Sequence, residues 1–189
     1  MKPLFLLATS LLSSALCLLT TLEAQPTSEQ EEPAPAATPS AESADVESID
    51  AIVAAVYDVI SGEAGEARDW DRMRSLFHPT AARLMSVGKN KVGVIGVRAL
   101  TPNEYIEMAS PFFAEEPFFE RELSRKTEQF GHIAHVFSTY ESVHELDGEA
   151  FDRGINSMQL LWDENRWWML TIYWDSESEA QPIPTRYLE

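Results

Sequence analysis

SMQLLWDENRWWMLTIYWD, residues 157–175, places four of the chain's five tryptophans within nineteen residues. The run splits at Asp163-Glu164-Asn165, a turn signal, into two stretches with the period-two pattern of strands. Strict alternation puts Trp168, Leu170, Ile172 and Trp174 on one face, and Trp167, Met169, Thr171, Tyr173 and Asp175 on the other. The first set is the more apolar and is expected to face the core. On one reading the rings pack a small sheet, with Trp167 and Tyr173 at a subunit contact. On the other, one or two of them wall a pocket for an apolar or flat ligand.

Moving outward, the same period recurs in FFERELSRKTEQF (118–130), HIAHVFSTYESVHEL (132–146) and FDRGINSMQLLW (151–162), with turns at Gly131 and Asp147-Gly148. This predicts a four-strand antiparallel meander. Upstream the spacing becomes helical. Ile49, Ile52, Val53, Val56, Tyr57 and Ile60 fall on one face, and Gly62 closes the run. Asp69 caps a second helix carrying Trp70, Met73, Leu76 and Phe77, which Pro79 ends just after His78. Thr101-Pro102-Asn103-Glu104 is a capping box that opens a third helix, expected to stop near Ser110 before Pro111. ARLMSV and VGVIGV read as short strands around Gly88-Lys89-Asn90-Lys91. Three N-terminal helices packed on one face of a curved antiparallel sheet make an α+β domain.

The flanks differ from this domain, which spans residues 48–178. Residues 1–24 combine Lys2, an apolar run and Leu22-Glu23-Ala24, the pattern of a cleaved secretory signal. Cys17, the only cysteine, lies inside it, so the mature chain has no thiol for a disulfide, metal or nucleophile. Residues 25–47 hold six acidic residues, no basic one, and many Pro, Ala and Ser, the composition of a disordered tether. Residues 179–189 are read as a C-terminal tail. A formal net charge of −17 repels phosphate backbones and anionic lipid, which argues against nucleic acid and membrane surfaces as partners. No membrane span is expected once the signal is removed.

DWDRMRSLFHPTAARL, GHIAHVFSTYES and RGINSMQLLWDENRWWMLTIYWD together resemble the nuclear transport factor 2-like (NTF2-like) superfamily, over residues 49–175. More closely they resemble secreted bacterial members related to the SnoaL-like domains. The resemblance implies a cone-shaped half-barrel whose helices and concave sheet enclose a pocket, often in a homodimer joined through the sheet. It does not select an activity, because the superfamily includes isomerases, dehydratases, epoxide hydrolases, polyketide cyclases and many binding or accessory proteins.

Ketosteroid isomerase, one such relative, uses a helix-one tyrosine as oxyanion donor and a strand carboxylate as base. Tyr57 in AAVYDVISG resembles the first. The base would follow the second helix, where this chain reads Ala82-Arg83-Leu84-Met85-Ser86, without a carboxylate. His132 and His135, three apart on a strand, point to opposite faces. His78 and His144 read as a helix-end cap and a solvated hairpin residue. An Asp-Arg-Asp cluster of the limonene epoxide hydrolase kind would have to be recruited from Asp58, Arg83, Arg153 and Asp175, whose spacing does not demand it. GKNKVGVIG (88–96) lacks the Lys-Ser/Thr pair of a phosphate cradle and is expected to be a mobile loop at the pocket mouth.

A polar set remains on the long strands: Glu120, Glu122, Ser138, Tyr140, Arg153, Asn156 and Gln159. Buried, such groups must be paired, either in a cross-strand network that fixes register or as a rim that orients a ligand. The pocket candidates are Tyr57, Trp70, Met85 and Ser138, together with Tyr140, Asn156, Met158 and Trp168. The expected function is a periplasmic or secreted domain that binds a small, largely apolar or aromatic molecule, or acts as an accessory protein. No catalytic constellation, metal site or cofactor is read. A cofactor-independent lyase, isomerase or hydrolase is the alternative, and a buried carboxylate with a shifted pKa in the cavity would favour it.

Overall fold

The computed structural model describes residues 38–189; the signal and most of the expected tether, residues 1–37, lie outside the described residues. Four helices, α1 (Ser43–Val46), α2 (Ile49–Ile60), α3 (Trp70–Leu76) and α4 (Pro102–Glu115), pack against one six-stranded sheet. Its strands are β1 (Arg83–Lys89), β2 (Ile95–Leu100), β3 (Phe119–Phe130), β4 (Ile133–Val143), β5 (Ala150–Trp162) and β6 (Trp167–Ser176). They lie in the order β2-β1-β6-β5-β4-β3 and do not close into a barrel.

The sheet is mixed rather than wholly antiparallel, because β1 runs parallel to β6. The cause is topological. After the β1–β2 hairpin, α4 carries the chain to the far edge, and the meander β3 to β6 then returns strand by strand until its last strand meets β1. The fourth helix, α1, falls within the stretch expected to be disordered. It is held by buried Val46 and by an ion pair from Arg72 Nε to Asp45 Oδ2 at 2.8 Å.

The helix starts follow their capping chemistry. Ser48 accepts from Ala51 N, Asp69 accepts from Arg72 N, and Thr101 and Glu104 form the reciprocal capping box. The end of α4 differs from expectation, since it continues through Pro111 to Glu115. Proline removes one donor there, but Phe113 is buried beneath the continued turn and Ser110 Oγ takes the Ile106 carbonyl at 2.6 Å. Packing of that aromatic end outweighs the lost hydrogen bond.

A bulge decides which tryptophans face the core. Met169 pairs with Leu160, but the next pair is Thr171 with Gln159, so Leu170 is an extra residue. Alternation restarts there. Trp167, Met169, Ile172 and Trp174 therefore share the face toward the helices, not Trp168, Leu170, Ile172 and Trp174. Trp167 and Met169 are buried core residues, so Trp167 belongs to no subunit contact. Trp168 lies on the other face, where its indole donates to Asp163 Oδ2 at 2.7 Å and Arg166 sits 3.7 Å above its ring. Pairing also slips beside Leu123 in β3 and Phe151 in β5. These extra residues increase the curvature that makes the helix-facing side concave.

The C-terminal tail folds back over the outer face. Thr139 Oγ1 donates to the Tyr187 carbonyl at 2.6 Å, Ser124 Oγ to the Glu189 carbonyl at 2.6 Å, and the Phe137 and Tyr187 rings lie 5.0 Å apart. Among the described residues, no helix is long and apolar enough to cross a membrane.

Candidate functional site

Between the helices and the concave sheet lies a cavity of about 410 Å³. Its walls follow from element positions: Val56, Val59 and Ile60 from α2, Met73 from α3, and Tyr105 to Phe113 from the continuous α4. Had α4 stopped before Pro111, Phe112 and Phe113 would not stand over the sheet. Phe118 and the bulged Phe151 complete the mouth, and the rings of Phe112, Phe113, Phe118 and Phe151 touch in series at 5.3–6.1 Å.

The sheet supplies the polar end. Glu120, Ser142 and Asp152 are cross-strand neighbours on β3, β4 and β5, with Tyr140 one row and Asn156 two rows further along the same face. All five line the cavity. Glu120 accepts from Ser142 Oγ at 3.2 Å and Asn156 Nδ2 at 3.4 Å. These are two long bonds from neutral donors, and no cation among the described residues lines the cavity beside it. Glu120 is half-buried and lines the cavity. Burial pushes its carboxyl up to about 7, the Ser142 and Asn156 hydrogen bonds offset part of this, and the charge of Asp152 adds to the rise. Asp152 is better served, accepting from the Tyr140 hydroxyl at 3.1 Å and Ser176 Oγ at 3.0 Å. Tyr105 also lines the cavity, its hydroxyl raised above the ordinary tyrosine range by burial and then by the charge of Glu120.

Tyr57, Ser138 and Glu122 form a different structure just behind. Asn156 Nδ2 donates to the Tyr57 hydroxyl at 3.1 Å, Tyr57 pairs with Ser138 Oγ at 2.7 Å, and Ser138 donates to Glu122 Oε1 at 2.5 Å. Because Ser138 spends its proton on Glu122, Tyr57 is the donor to Ser138. Arg125 closes the chain by pairing with Glu122 at 2.8 Å and Asp50 at 3.0 Å. These bonds link α2 to β3, β4 and β5. Tyr57→Phe is expected to cost about 1 kcal/mol of stability in urea unfolding.

The eight pocket candidates therefore separate. Tyr140 and Asn156 line the cavity. Tyr57 and Ser138 sit behind it, Trp70 backs the Phe113 ring at 5.9 Å, and Met158 is fully buried core. Met85 points away from the helices, since its neighbours Leu84 and Ser86 pair with the inward Ile172 and Trp174. Trp168 is on the outer face. The 88–96 segment forms the β1–β2 hairpin at the free sheet edge, with Asn90 Oδ1 accepting from Val92 and Val94 N, and does not border the cavity. None of the four histidines lines it either.

No family model matches the sequence, and neither does any curated protein. Solved structures do. A protein of unknown function with a cystatin-like fold from Nostoc punctiforme superposes with a TM-score of 0.52 at 11% identity, covering 69% of this chain and 90% of its own. The fold is the NTF2-like half-barrel. An NTF2-like protein of unknown function from Silicibacter pomeroyi has a TM-score of 0.46 at 16% identity, covering 69% and 94% of the two chains. One from Streptomyces avermitilis, provisionally called a dehydratase from the NTF2-like family, has 0.47 at 14%, covering 68% and 93%. At such identities the likeness speaks of fold alone.

Within this NTF2-like half-barrel the cavity acid stands on the third strand, not on the first where the ketosteroid isomerase pattern places one. Glu120 was visible only as one of several polar strand residues. The signal that would have singled it out is its place one turn of alternation from the aromatic pair Phe118-Phe119, at the strand start where α4 delivers Phe112 and Phe113.

Proposed function

We propose that this chain binds a small, largely apolar molecule in the concave cavity and meets the polar end of that molecule with the Glu120 carboxylate. One observation carries the reading: a carboxylate with no cationic partner among the described residues faces an aromatic-walled space of about 410 Å³. A buried, weakly bonded carboxylate is destabilising in the empty protein, and a ligand that satisfies it recovers that loss. The secretory signal read in residues 1–24 supports a periplasmic or secreted location, checked by fractionating expressing cells. Native mass spectrometry of the purified protein tests the binding. A retained or added hydrophobic small molecule that is lost in a Phe113→Trp variant, which fills the cavity, is the expected result; identical spectra for the two proteins would refute it. The spectra also read the assembly mass, where a homodimer would use the outer face left free by the tail.

A second reading is favoured by the position of the Glu120 titration. A base that ionises near neutral pH, next to tyrosine, serine and amide donors, has the composition of a cofactor-independent lyase or isomerase site. On that reading Glu120 is the proton acceptor and Tyr140 and Asn156 orient the substrate. Turnover of a cavity ligand that disappears in Glu120→Gln, while binding persists, would select it.

A further inference from the structure

Among the described residues lining the cavity there is no Lys, Arg or His, whereas two carboxylates, Glu120 and Asp152, share its polar end. Arg68 lies 5.2 Å from the centroid of the Phe113 ring, on the far side of one cavity wall residue. It is already committed: its guanidinium donates to the carbonyls of Ile60, Gly62, Glu63 and Glu66 at 2.7–3.1 Å. Those bonds hold the α2–α3 loop, and Arg68 is not part of the lining.

The remaining walls are the wrong environment for an anion and a suitable one for a cation. The lining includes eight aromatic residues, and the π faces of Phe, Tyr and Trp attract an ammonium group. A carboxylate-bearing ligand would bring a third negative charge against Glu120 and Asp152 with nothing to neutralise it. A neutral alcohol could hydrogen-bond Glu120 but would leave its charge buried. An amine satisfies both requirements, with its apolar body among Met73, Phe113 and Trp174.

We propose that the cavity selects a hydrophobic amine, an apolar or aromatic body carrying one ammonium group that docks between Glu120 and Asp152. The proposal rests on the cavity being the binding site and adds the charge class of what enters it. The acidic surface, with a formal net charge of −17, favours approach of the same class.

Three probes of matched shape separate the alternatives: 4-phenylbutylamine, 4-phenylbutan-1-ol and 4-phenylbutanoate, titrated calorimetrically into the purified protein at about pH 8. The amine is expected to bind at least about tenfold tighter than the alcohol, and the carboxylate weakest. Glu120→Gln should reduce amine affinity to about that of the alcohol while moving the alcohol less than about threefold.

In the wild type, amine affinity should rise about tenfold between about pH 5.5 and pH 8 as Glu120 loses its proton, and alcohol affinity should stay level. The charged and titratable groups around Glu120 are Asp152, Glu122, Tyr57, Tyr105 and Tyr140; the faces of α2, α3 and α4 toward it add no charge. His144 stacks on Phe151 at 4.2 Å at the cavity mouth, and the alcohol series controls for any contribution from it. The pH series also decides the matter should Glu120→Gln fail to fold.

Alcohol binding as tight as amine binding, or carboxylate binding tighter, overturns the amine assignment and leaves the cavity reading standing. Absence of binding by all three overturns the cavity reading itself.

Discussion

Gly154→Ala is expected to lower unfolding stability by about 3 kcal/mol, the upper end of what one added methyl group does in a packed interior. Gly154 lies on the concave face of β5, opposite Tyr140 on β4 and Ser176 on β6. A methyl carbon there would collide with the Asp175 carbonyl oxygen and come within 2.6 Å of the Tyr140 hydroxyl and 2.7 Å of its ring. The backbone oxygen cannot yield, because it belongs to the neighbouring strand. Tyr140 crosses the sheet through the space this glycine leaves and so reaches Asp152. The variant should therefore also weaken ligand binding, since a displaced Tyr140 turns into the cavity. Urea unfolding and calorimetric titration of the same protein check both effects. Unchanged stability would mean that β5 shifts to make room. Pairing the change with Tyr140→Ala should recover part of the loss but not all of it, because the clash with the Asp175 carbonyl remains.

Gly154 also illustrates what a sequence does and does not carry. RGINSMQLLW reads correctly as a strand, and its glycine looks like a mild strand weakener. That Tyr140 needs the space is a fact about β4 and β5 together. The same distinction runs through the molecule. Strands and turns from residue 118 to 176 are legible because burial on one side imposes alternation locally, and the starts of α2, α3 and α4 are legible because Ser48, Asp69 and Thr101 cap within three residues of themselves.

What is not local was missed. The extra residue Leu170 has no signature of its own, yet it moves Trp167 into the core and Trp168 out, reversing half of the face assignment. Pro111 reads as a helix stop because its backbone cost is local, while the burial of Phe113 that outweighs it depends on the sheet below. Glu120 and Glu122 are two residues apart on one strand, share a face, and look equivalent in sequence. Arg125 reaches Glu122, and among the described residues no cation pairs with Glu120. One joins a network that links α2 to the strands, and the other shares the cavity with Asp152.

That asymmetry leads to the second large effect. Glu120→Gln should stabilise the protein by up to about 3 kcal/mol at about pH 8, and by well under 1 kcal/mol at about pH 4.5. The folded protein holds the Glu120 proton until pH about 7, against the ordinary carboxylate value of 4.5 when unfolded. Between those values the folded state binds more protons than the unfolded state, so stability falls as pH rises. The loss begins near the unfolded value and is complete above the folded one. Its size follows from the difference of the two values at about 1.4 kcal/mol for each. Glutamine keeps the shape and the acceptor for Ser142 but carries no charge, so its stability should lack this fall. Paired urea denaturation of the two proteins across that range isolates the Glu120 contribution from other titrating groups. Parallel profiles would mean that the carboxylate is solvated in the folded protein, and the cavity would then lose the group on which its ligand preference depends. A gap that opens with pH, and that closes for the wild type when an amine occupies the cavity, would show that Glu120 is kept at the expense of stability for the sake of what it binds.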